Sequence, residues 1–585
     1  MLIIDTEVYQ DYFLLAALDL DTGNIRTFEM YPEHPLDDGI RQIMTRGVTV
    51  GFNSVGYDLP IIAAALAGMT NRELKILSDS IIVDNKPHWQ TGIRIPKTWD
   101  HIDLIELAIG QASLKIYGGR LHAPKLQDLP IDPGASIAPN QREILRQYCA
   151  NDLETTAILY RHLRPQIALR ETMSAEYGVD LRSKSDAQIA EAVIRTEIER
   201  LGGDASKPSV KRDLTFRFKD PDFIRFTSPH LKAIFARLLE TDFTLGPNGS
   251  VQMPEWLRDT VIVIGDAKYQ MGIGGLHSCE KRQYIDAGKG DVLADYDVAS
   301  FYPAIILNQR LSPKHLGDTF LDVFRTIVER RLAAKSAGDR VTADVLKIVV
   351  NGTFGKLGSK YSFLYSPDLL IQTTITGQLA ILMLIERMAA RGIRTVSANT
   401  DGIVLYASNS QDGVMRDIAW DWMLWTGYEL ERSDYRVLAS RDVNNYLAVK
   451  LDGSLKGKGI FATPSLAKNP DCQIVYDAAA ARIAHGTPHA TTIRACTDIR
   501  RFITVRRVTG GAVWNGEPLG KAVRYYYATS VLSDQIITYA KNGNKVPRSE
   551  GTRPLMELPD AFPDDVDYRV YEVEVERLLC EVGYF

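Results

Sequence analysis

The sequence predicts a multidomain chain, α/β at its start and α+β beyond. Three observations carry that prediction. The first ~165 residues alternate apolar strand-like runs with helical patterns, the order expected of an α/β unit. Farther on, two long helical patterns interrupt a set of strands. Finally, 585 residues of 45% hydrophobic composition exceed what one core accommodates, so roughly three to five domains are expected.

In chain order, Leu2-Ile3-Ile4 and Tyr12 to Asp19 read as buried strands joined by a polar turn, and Val48 to Phe52 as a third. Helical periodicity covers Leu59 to Leu66 and Gln141 to Leu163. Residues 200–290 are less periodic and rich in Pro, Gly and charge, which reads as a connector or small accessory region. Strand character resumes at Val292 to Tyr296. Helices from about Thr319 to Ala337 and from Val341 to Val350, joined by Ser336-Ala337-Gly338-Asp339, predict a helical hairpin. Ser397 to Tyr406 reads as a β-hairpin, because Asp401-Gly402 between strand formers supplies positive backbone angles. From Val437 short strands mix with helices, and Tyr568 to Val582 predicts an amphipathic helix. The absence of repeats and low-complexity tracts excludes solenoids and disordered tails.

The first residues carry no basic or apolar leader pattern, and no run of ~18 uninterrupted apolar residues follows. The expectation is a cytoplasmic protein with no membrane partner. Five scattered cysteines, Cys149, Cys279, Cys472, Cys496 and Cys580, read as reduced thiols without zinc or disulfide spacing. A formal charge of -5 argues against a uniformly basic nucleic-acid binder. The charge is regional: Arg441 to Glu550 carries 16 Lys/Arg against 8 Asp/Glu, whereas Gly551 to Phe585 carries 3 against 9. Arg500-Arg501, Arg506-Arg507 and Lys521 to Arg524 followed by Tyr525-Tyr526-Tyr527 suggest a strand surface for phosphates and bases, or else simply a solvated sheet face.

Several acids sit where elements end. Asp5 and Glu7, two apart on a strand, put both carboxylates on one face, which is unfavourable unless a cation lies between them. Asp58 ends Asn53-Ser54-Val55-Gly56-Tyr57-Asp58 before a helix, and Asp152 lies on a helix. Each alone is ordinarily a cap or a surface charge, but together they offer oxygen ligands for Mg²⁺ or Mn²⁺. Asp5-x-Glu7, Asn53 with Tyr57-Asp58, and Tyr148-x-x-x-Asp152 resemble the three motifs of the DnaQ-type 3′–5′ exonuclease domain of proofreading DNA polymerases. The resemblance implies an RNase H-like fold over 1–185, with Asp5, Glu7, Asp58 and Asp152 binding two metal ions and Tyr148 orienting the attacking water.

In the second half, Asp297 to Pro303 follows a strand. Lys347 and Asn351 share a helical face, with Gly352 and Gly355 giving a flat surface where a base pair could approach, and Arg331 and Lys335 lie four apart on the preceding helix. Two such helices can aim three cations at one triphosphate. These stretches resemble motifs of family B DNA polymerases. Asp297-Val-Ala-Ser-Phe-Tyr302-Pro303 is similar to motif A, Lys347-Ile-Val-Val-Asn351-Gly-Thr-Phe-Gly355 to motif B, and Asn399-Thr400-Asp401-Gly402 to motif C. Tyr269-Gln-Met-Gly272-Ile-Gly274-Gly275 resembles the linker that contacts template. Asn444-Asn445-Tyr446 stands where the family often has Lys-x-Tyr, followed by Lys456-Gly-Lys458-Gly.

The resemblance implies a right-hand polymerase. A connector with the linker motif would cover 186–290, palm 291–315 and 359–440, fingers 316–358, and thumb and C-terminal region 441–585. Asp297 and Asp401 become the catalytic acids for two Mg²⁺ or Mn²⁺ ions. Arg331, Lys335, Lys347 and Asn351 become dNTP ligands, with Tyr302 beneath the sugar. Tyr269, Gly274, Gly275, Tyr446, Lys456 and Lys458 become DNA contacts. Asn399 departs from the pattern, since an amide adds no charge where relatives carry an acid, and Asp295 is a candidate to offset that loss. Only 49 residues separate Asp297 from Lys347, leaving no room for the insertion of protein-primed enzymes. A nucleic-acid primer, a compact bacteriophage type and a monomer working with helicase, primase, single-strand-binding or processivity proteins are then expected. The rival readings are an exonuclease with an inactive polymerase module and a non-catalytic nucleic-acid-binding subunit.

Overall fold

The computed structural model describes residues 1–209, 214–532 and 535–585. They divide into two compact units. One comprises Met1–Lys184, Pro464–Val475 and Ala490–Val573, and the other Ser185–Thr463, Tyr476–His489 and Glu574–Phe585. Length suggested more domains, but one continuous apolar core runs from Phe218 to Tyr428 and merges what the sequence separates. Residues 441–585, read as one region, are shared between the units.

The N-terminal unit is built on a five-stranded sheet. Leu2–Val8, Phe13–Asp19 and Ile25–Met30 form an antiparallel meander, and Thr49–Gly51 and His101–Asp103 add in parallel on the other side. Alternation assigns the faces. Ile3, Leu14 and Ala16 pack with Leu145, Cys149 and Leu153 of the helix Arg142–Tyr177, whereas Ile4, Phe13 and Leu15 pack with Leu59, Ile62 and Leu74 of the helices Asp58–Leu66 and Asn71–Ile82. Asp5 and Glu7 share Ile3's face, toward the long helix. That helix was expected to stop at Leu163. It continues through Pro165 to Tyr177, because Ile167, Met173 and Tyr177 keep a buried face beyond the proline.

The late hairpin Thr504–Trp514 with Glu517–Tyr527 also belongs to this unit, and it corrects part of the reading of a basic, aromatic surface, for Arg500, Arg501, Arg507 and Lys521 are exposed but the end of the stretch is not. Arg524 is wholly buried, and Tyr525 and Tyr526 are buried beside it. The Arg524 guanidinium donates to the carbonyls of Leu555 (2.6 Å), Ala123 (2.8 Å), Pro124 (3.1 Å) and Met556 (3.2 Å). Its charge is spent on orphan carbonyls inside the protein.

The second unit is organised around a ten-stranded antiparallel sheet. Its centre is Asp291–Val298, between Gly402–Ser408 and Leu430–Asp442. Outward on one side lie Arg394–Asn399, Leu276–Ser278, Ala267–Met271 and Ile262–Ile264. On the other lie Asn445–Lys450 and Leu455–Lys458, with Gln283–Asp286 pairing along Leu430–Asp442. The presumed connector thus supplies four strands. Each is three to five residues long, too short for a period-two pattern to register. Residues 210–213 of that segment lie outside the described residues.

Ala294, Tyr296 and Val298 face the main core. Leu293, Asp295 and Asp297 face the opposite side. The helix Pro367–Ala389, long and apolar enough to cross a membrane by length and composition, is mostly buried in that core, where its Ala380 carbonyl accepts from the Trp422 indole at 2.8 Å. The helical hairpin spans Gly317–Ala337 and Arg340–Lys356, with Gly338 in the left-handed region at the turn. None of the five cysteines, all among the described residues, is in a disulfide.

Candidate active sites

In the N-terminal unit the first strand and the long helix bring three acids together. Carboxylate oxygens of Asp5, Glu7 and Asp152 lie within 4.8 Å of one another, with Asp152 buried and the other two half-buried. The donors are all carboxylate oxygen, a set that suits hard divalent cations. Burial first, then the charges of Asp58 and Asp152, hold the Asp5 carboxyl well above the usual range, and burial followed by Asp5 does the same to Glu7. Such a cluster keeps its charge only with a cation beside it.

One cation is part of the chain. Lys115, on the short helix Leu114–Arg120, ion-pairs with Asp152 and sits 4.3 Å from the centre of the Tyr148 ring. Sequence reading missed it, and a lone lysine in a short apolar helix gives no signal. Asp58 stands apart from the three-acid group. It is buried and accepts from the Thr6 amide at 3.0 Å and the Thr6 hydroxyl at 2.5 Å. Asp103, also unanticipated, accepts from the amides of Asn53 (2.8 Å) and Val55 (2.9 Å) and so fixes the turn that leads to Asp58. Asn53 takes a positive φ of 58° in that turn.

In the second unit Asp297 ends the central strand, directly opposite Gly402 in the register. A Cβ built on Gly402 would overlap Asp297 Oδ1, so glycine is what lets the carboxylate lie against the neighbouring strand. Asp401 occupies the adjoining turn, and its carbonyl accepts from the Val298 amide at 2.8 Å. The hairpin reading of this turn holds, but its chemistry differs from the expected Asp-Gly pair. Thr400 carries the positive φ of 60°, while Gly402 already lies in the strand. Gly275 makes room for it, since a Cβ there would meet Thr400 Oγ1 and Cγ2 inside 3 Å. A β-branched residue in the left-handed region is unusual, and the packing of Gly275 against it holds it there.

Asp295, Asp297, Asn399, Asp401, Tyr446, Lys456 and Lys458 are among the residues lining one cavity of about 370 Å³. Burial first, then Asp295, raises the Asp297 carboxyl, and burial raises Asp401. Lys456 Nζ lies 2.7 Å from Asp295 and 3.5 Å from Asp297. Asp295 also accepts from the Tyr435 hydroxyl. With Lys456 and Tyr435 on it, Asp295 is a counter-ion within the site. Asn399 Nδ2 donates to the Val443 carbonyl (3.3 Å) and faces Asn444 Oδ1 (3.4 Å), contacts that a carboxylate cannot make.

The sequence matches no protein-family model. No curated protein matches it either. Among solved structures, the family B DNA polymerase from the hyperthermophilic archaeon Pyrobaculum calidifontis is similar over 100% of this chain and 77% of its own, with 15% identity and a TM-score of 0.42.

Around the second site, Arg331 Nη1 donates to Ser300 Oγ at 2.7 Å, and Lys335 pairs with Glu431 at 3.1 Å. Glu431 stands opposite Asp297 in the register, so both cations attach beside the central acid. Lys347 and Asn351 are exposed on the second helix of the hairpin. Tyr302 donates to the Gly274 carbonyl at 2.5 Å and stacks on Phe354 at 4.1 Å, tying together three of the stretches that the sequence singled out.

Three expectations are corrected. Tyr269 is wholly buried in its strand, so its side chain offers DNA no surface. Gly352 packs against Ala190 of the helix Asp186–Arg200, where a Cβ would clash, and serves helix packing instead of approach by a base pair. Lys456 faces the acids, which turns its expected DNA contact into a charge at the acid-lined cavity.

Proposed function

We propose that the chain is a template-directed DNA polymerase that adds dNTPs to a primer 3′-hydroxyl and edits with a 3′–5′ proofreading exonuclease. The observation that carries the reading is the convergence of two separate acid sets, each from residues distant in sequence. Asp5 and Glu7 meet Asp152 in one unit, and Asp297 lies across from the turn of Asp401 in the other. Asp5, Glu7, Asp58 and Asp152 would hold two Mg²⁺ or Mn²⁺ ions, and Asp297 and Asp401 another two. Such ions, when bound, lower the pKa of water or a hydroxyl and offset charge on phosphate oxygens.

The chain's own groups do the rest. Arg331, Lys335, Lys347 and Asn351 receive the triphosphate, and Tyr302, braced by Gly274 and Phe354, bears on the sugar. Tyr446, Lys458, Gly274 and Gly275 face primer and template, while Tyr148 beside Lys115 orients water in the nuclease. On this reading 291–315 and 359–440 act as palm and 316–358 as fingers. The protein is a compact, cytoplasmic monomer of bacteriophage type, extending a nucleic-acid primer and served by helicase, primase, single-strand-binding or processivity proteins.

The test is a labelled primer–template with Mg²⁺. Wild type extends it with all four dNTPs and degrades it without them. Asp297→Asn or Asp401→Asn abolishes extension alone, and Asp5→Ala abolishes degradation alone. Degradation without any extension by wild type would sink the polymerase claim.

A further inference from the structure

The segment 83–100 of the N-terminal unit leaves the helix Asn71–Ile82 and enters the strand His101–Asp103. Ile93, Ile95 and Trp99 pack onto that unit's core, while Arg94 and Lys97 between them are exposed. Ile93 to Ile95 alternate in and out, which turns Arg94 outward, and Lys97 is exposed in the turn that the Trp99 amide closes on the Pro96 carbonyl at 3.2 Å. Before it, Trp89 is 71% exposed, with Ile82 and Val83 also exposed nearby in sequence.

The indole stands on an ordered turn. Gln90 N donates to the Pro87 carbonyl (2.9 Å), Thr91 Oγ1 to the His88 carbonyl (2.6 Å), and Ile93 N to Thr91 Oγ1 (3.3 Å), with the His88 ring edge-on to Trp89 at 5.1 Å. The segment's acids are both engaged: Asp84 with Lys86 at 3.4 Å, and Asp100 with Arg182 at 2.8 Å. Arg94 and Lys97 form no ion pair among the described residues. A large exposed aromatic ring, followed five and eight residues on by uncommitted cations, offers the two kinds of group that bind unstacked bases and their phosphates. A duplex, whose bases are stacked on one another, gives the ring nothing to cover. The same strand that receives the segment carries Asp103, which fixes the turn leading to Asp58.

We propose that residues 83–100 are a docking element for single-stranded DNA, with Trp89 as stacking platform and Arg94 and Lys97 as phosphate contacts, feeding a strand to the acids of the same unit. The inference rests on the nuclease reading and names where its substrate is gripped.

The experiment uses the full chain in EDTA with a single-stranded oligonucleotide carrying 5-iododeoxyuridine. Irradiation should cross-link the peptide that contains Trp89. Trp89→Ala should lose that cross-link and, in a parallel assay with Mg²⁺, raise the KM for single-strand degradation about ten-fold, the loss of one stacked base. Trp89→Phe should retain most of both. Arg94→Gln with Lys97→Gln should lower the slope of log affinity against log salt by about 1.4, as two single-strand phosphate contacts require. Trp89 is exposed, so an unchanged melting temperature separates lost binding from lost fold. Cross-links confined to other peptides, with wild-type KM in Trp89→Ala, overturn the proposal. So does a variant that changes only self-association in the ultracentrifuge, which would make a second copy the occupant. A Trp89 cross-link in a chain that never degrades DNA leaves the docking element standing and removes the nuclease reading.

Discussion

Replacing Asp58 with Asn should flatten the pH dependence of the N-terminal unit's stability in metal-free buffer. The carboxyl is 4% exposed. Burial drives it from an ordinary 3.8 up to about 7, the Thr6 hydroxyl pulls against that, and the charge of Asp103 adds to it. A proton is therefore held more tightly in the folded unit than in the unfolded chain. The stability this contributes is complete below about 3.8 and is lost as pH climbs through about 7. The full swing is about 4 kcal/mol at order of magnitude. For a unit of this size that amounts to roughly 8–16 °C in melting temperature. Calorimetry of wild type and Asp58→Asn from pH 4 to pH 8 in EDTA reads it directly. Wild type should fall relative to the variant across that range, in one of its transitions only. Curves that run parallel would refute the assignment of the buried proton to Asp58.

Three further outcomes follow from particular contacts. Gly402→Ala places a methyl group on Asp297 Oδ1 and should cost about 100-fold in primer extension while degradation stays at wild-type rate, since displacement of one catalytic group is that expensive. Asn399→Asp turns an acceptor toward the Val443 carbonyl and should destabilise the metal-free chain by about 1–3 kcal/mol, with part of the loss recovered on adding Mg²⁺ in a melting assay. Arg524→Met leaves the carbonyls of Ala123, Pro124, Leu555 and Met556 without their buried donor and should cost about 3 kcal/mol or more in denaturant titration.

The parts of the fold that were legible are those in which local pattern and final environment agree. Asp5 and Glu7 stand two apart on a strand, and the strand's faces put them where spacing alone requires. The hairpin of Gly317–Ala337 and Arg340–Lys356 is periodic enough to be read, apart from the last six residues of its second helix. What escaped is set by distant neighbours. Nothing near Lys115 announces that Asp152 will reach it, and nothing in Lys521 to Tyr527 separates a basic surface from a buried arginine capping carbonyls some 400 residues away. The short strands between Ile262 and Asp286 are strands because a large sheet receives them, a property of the sheet and not of their sequence. At Asn399-Thr400-Asp401-Gly402 the element was legible and the residue carrying the positive φ was not, because Gly275 packs against Thr400 from the connection before Leu276–Ser278.

The Arg524 clamp has a consequence for how the protein is made. Ala123 and Arg524 lie 401 residues apart in sequence but in the same unit. At ribosomal speeds of about 5–20 residues per second, the carbonyl emerges roughly 20–80 s before the guanidinium that satisfies it. Part of this unit is thus made before, and part only after, the whole of 185–463 has been produced. A gene fragment stopping near residue 185 would encode all of its acids, yet the segment 123–126 would lack the partner on which it closes.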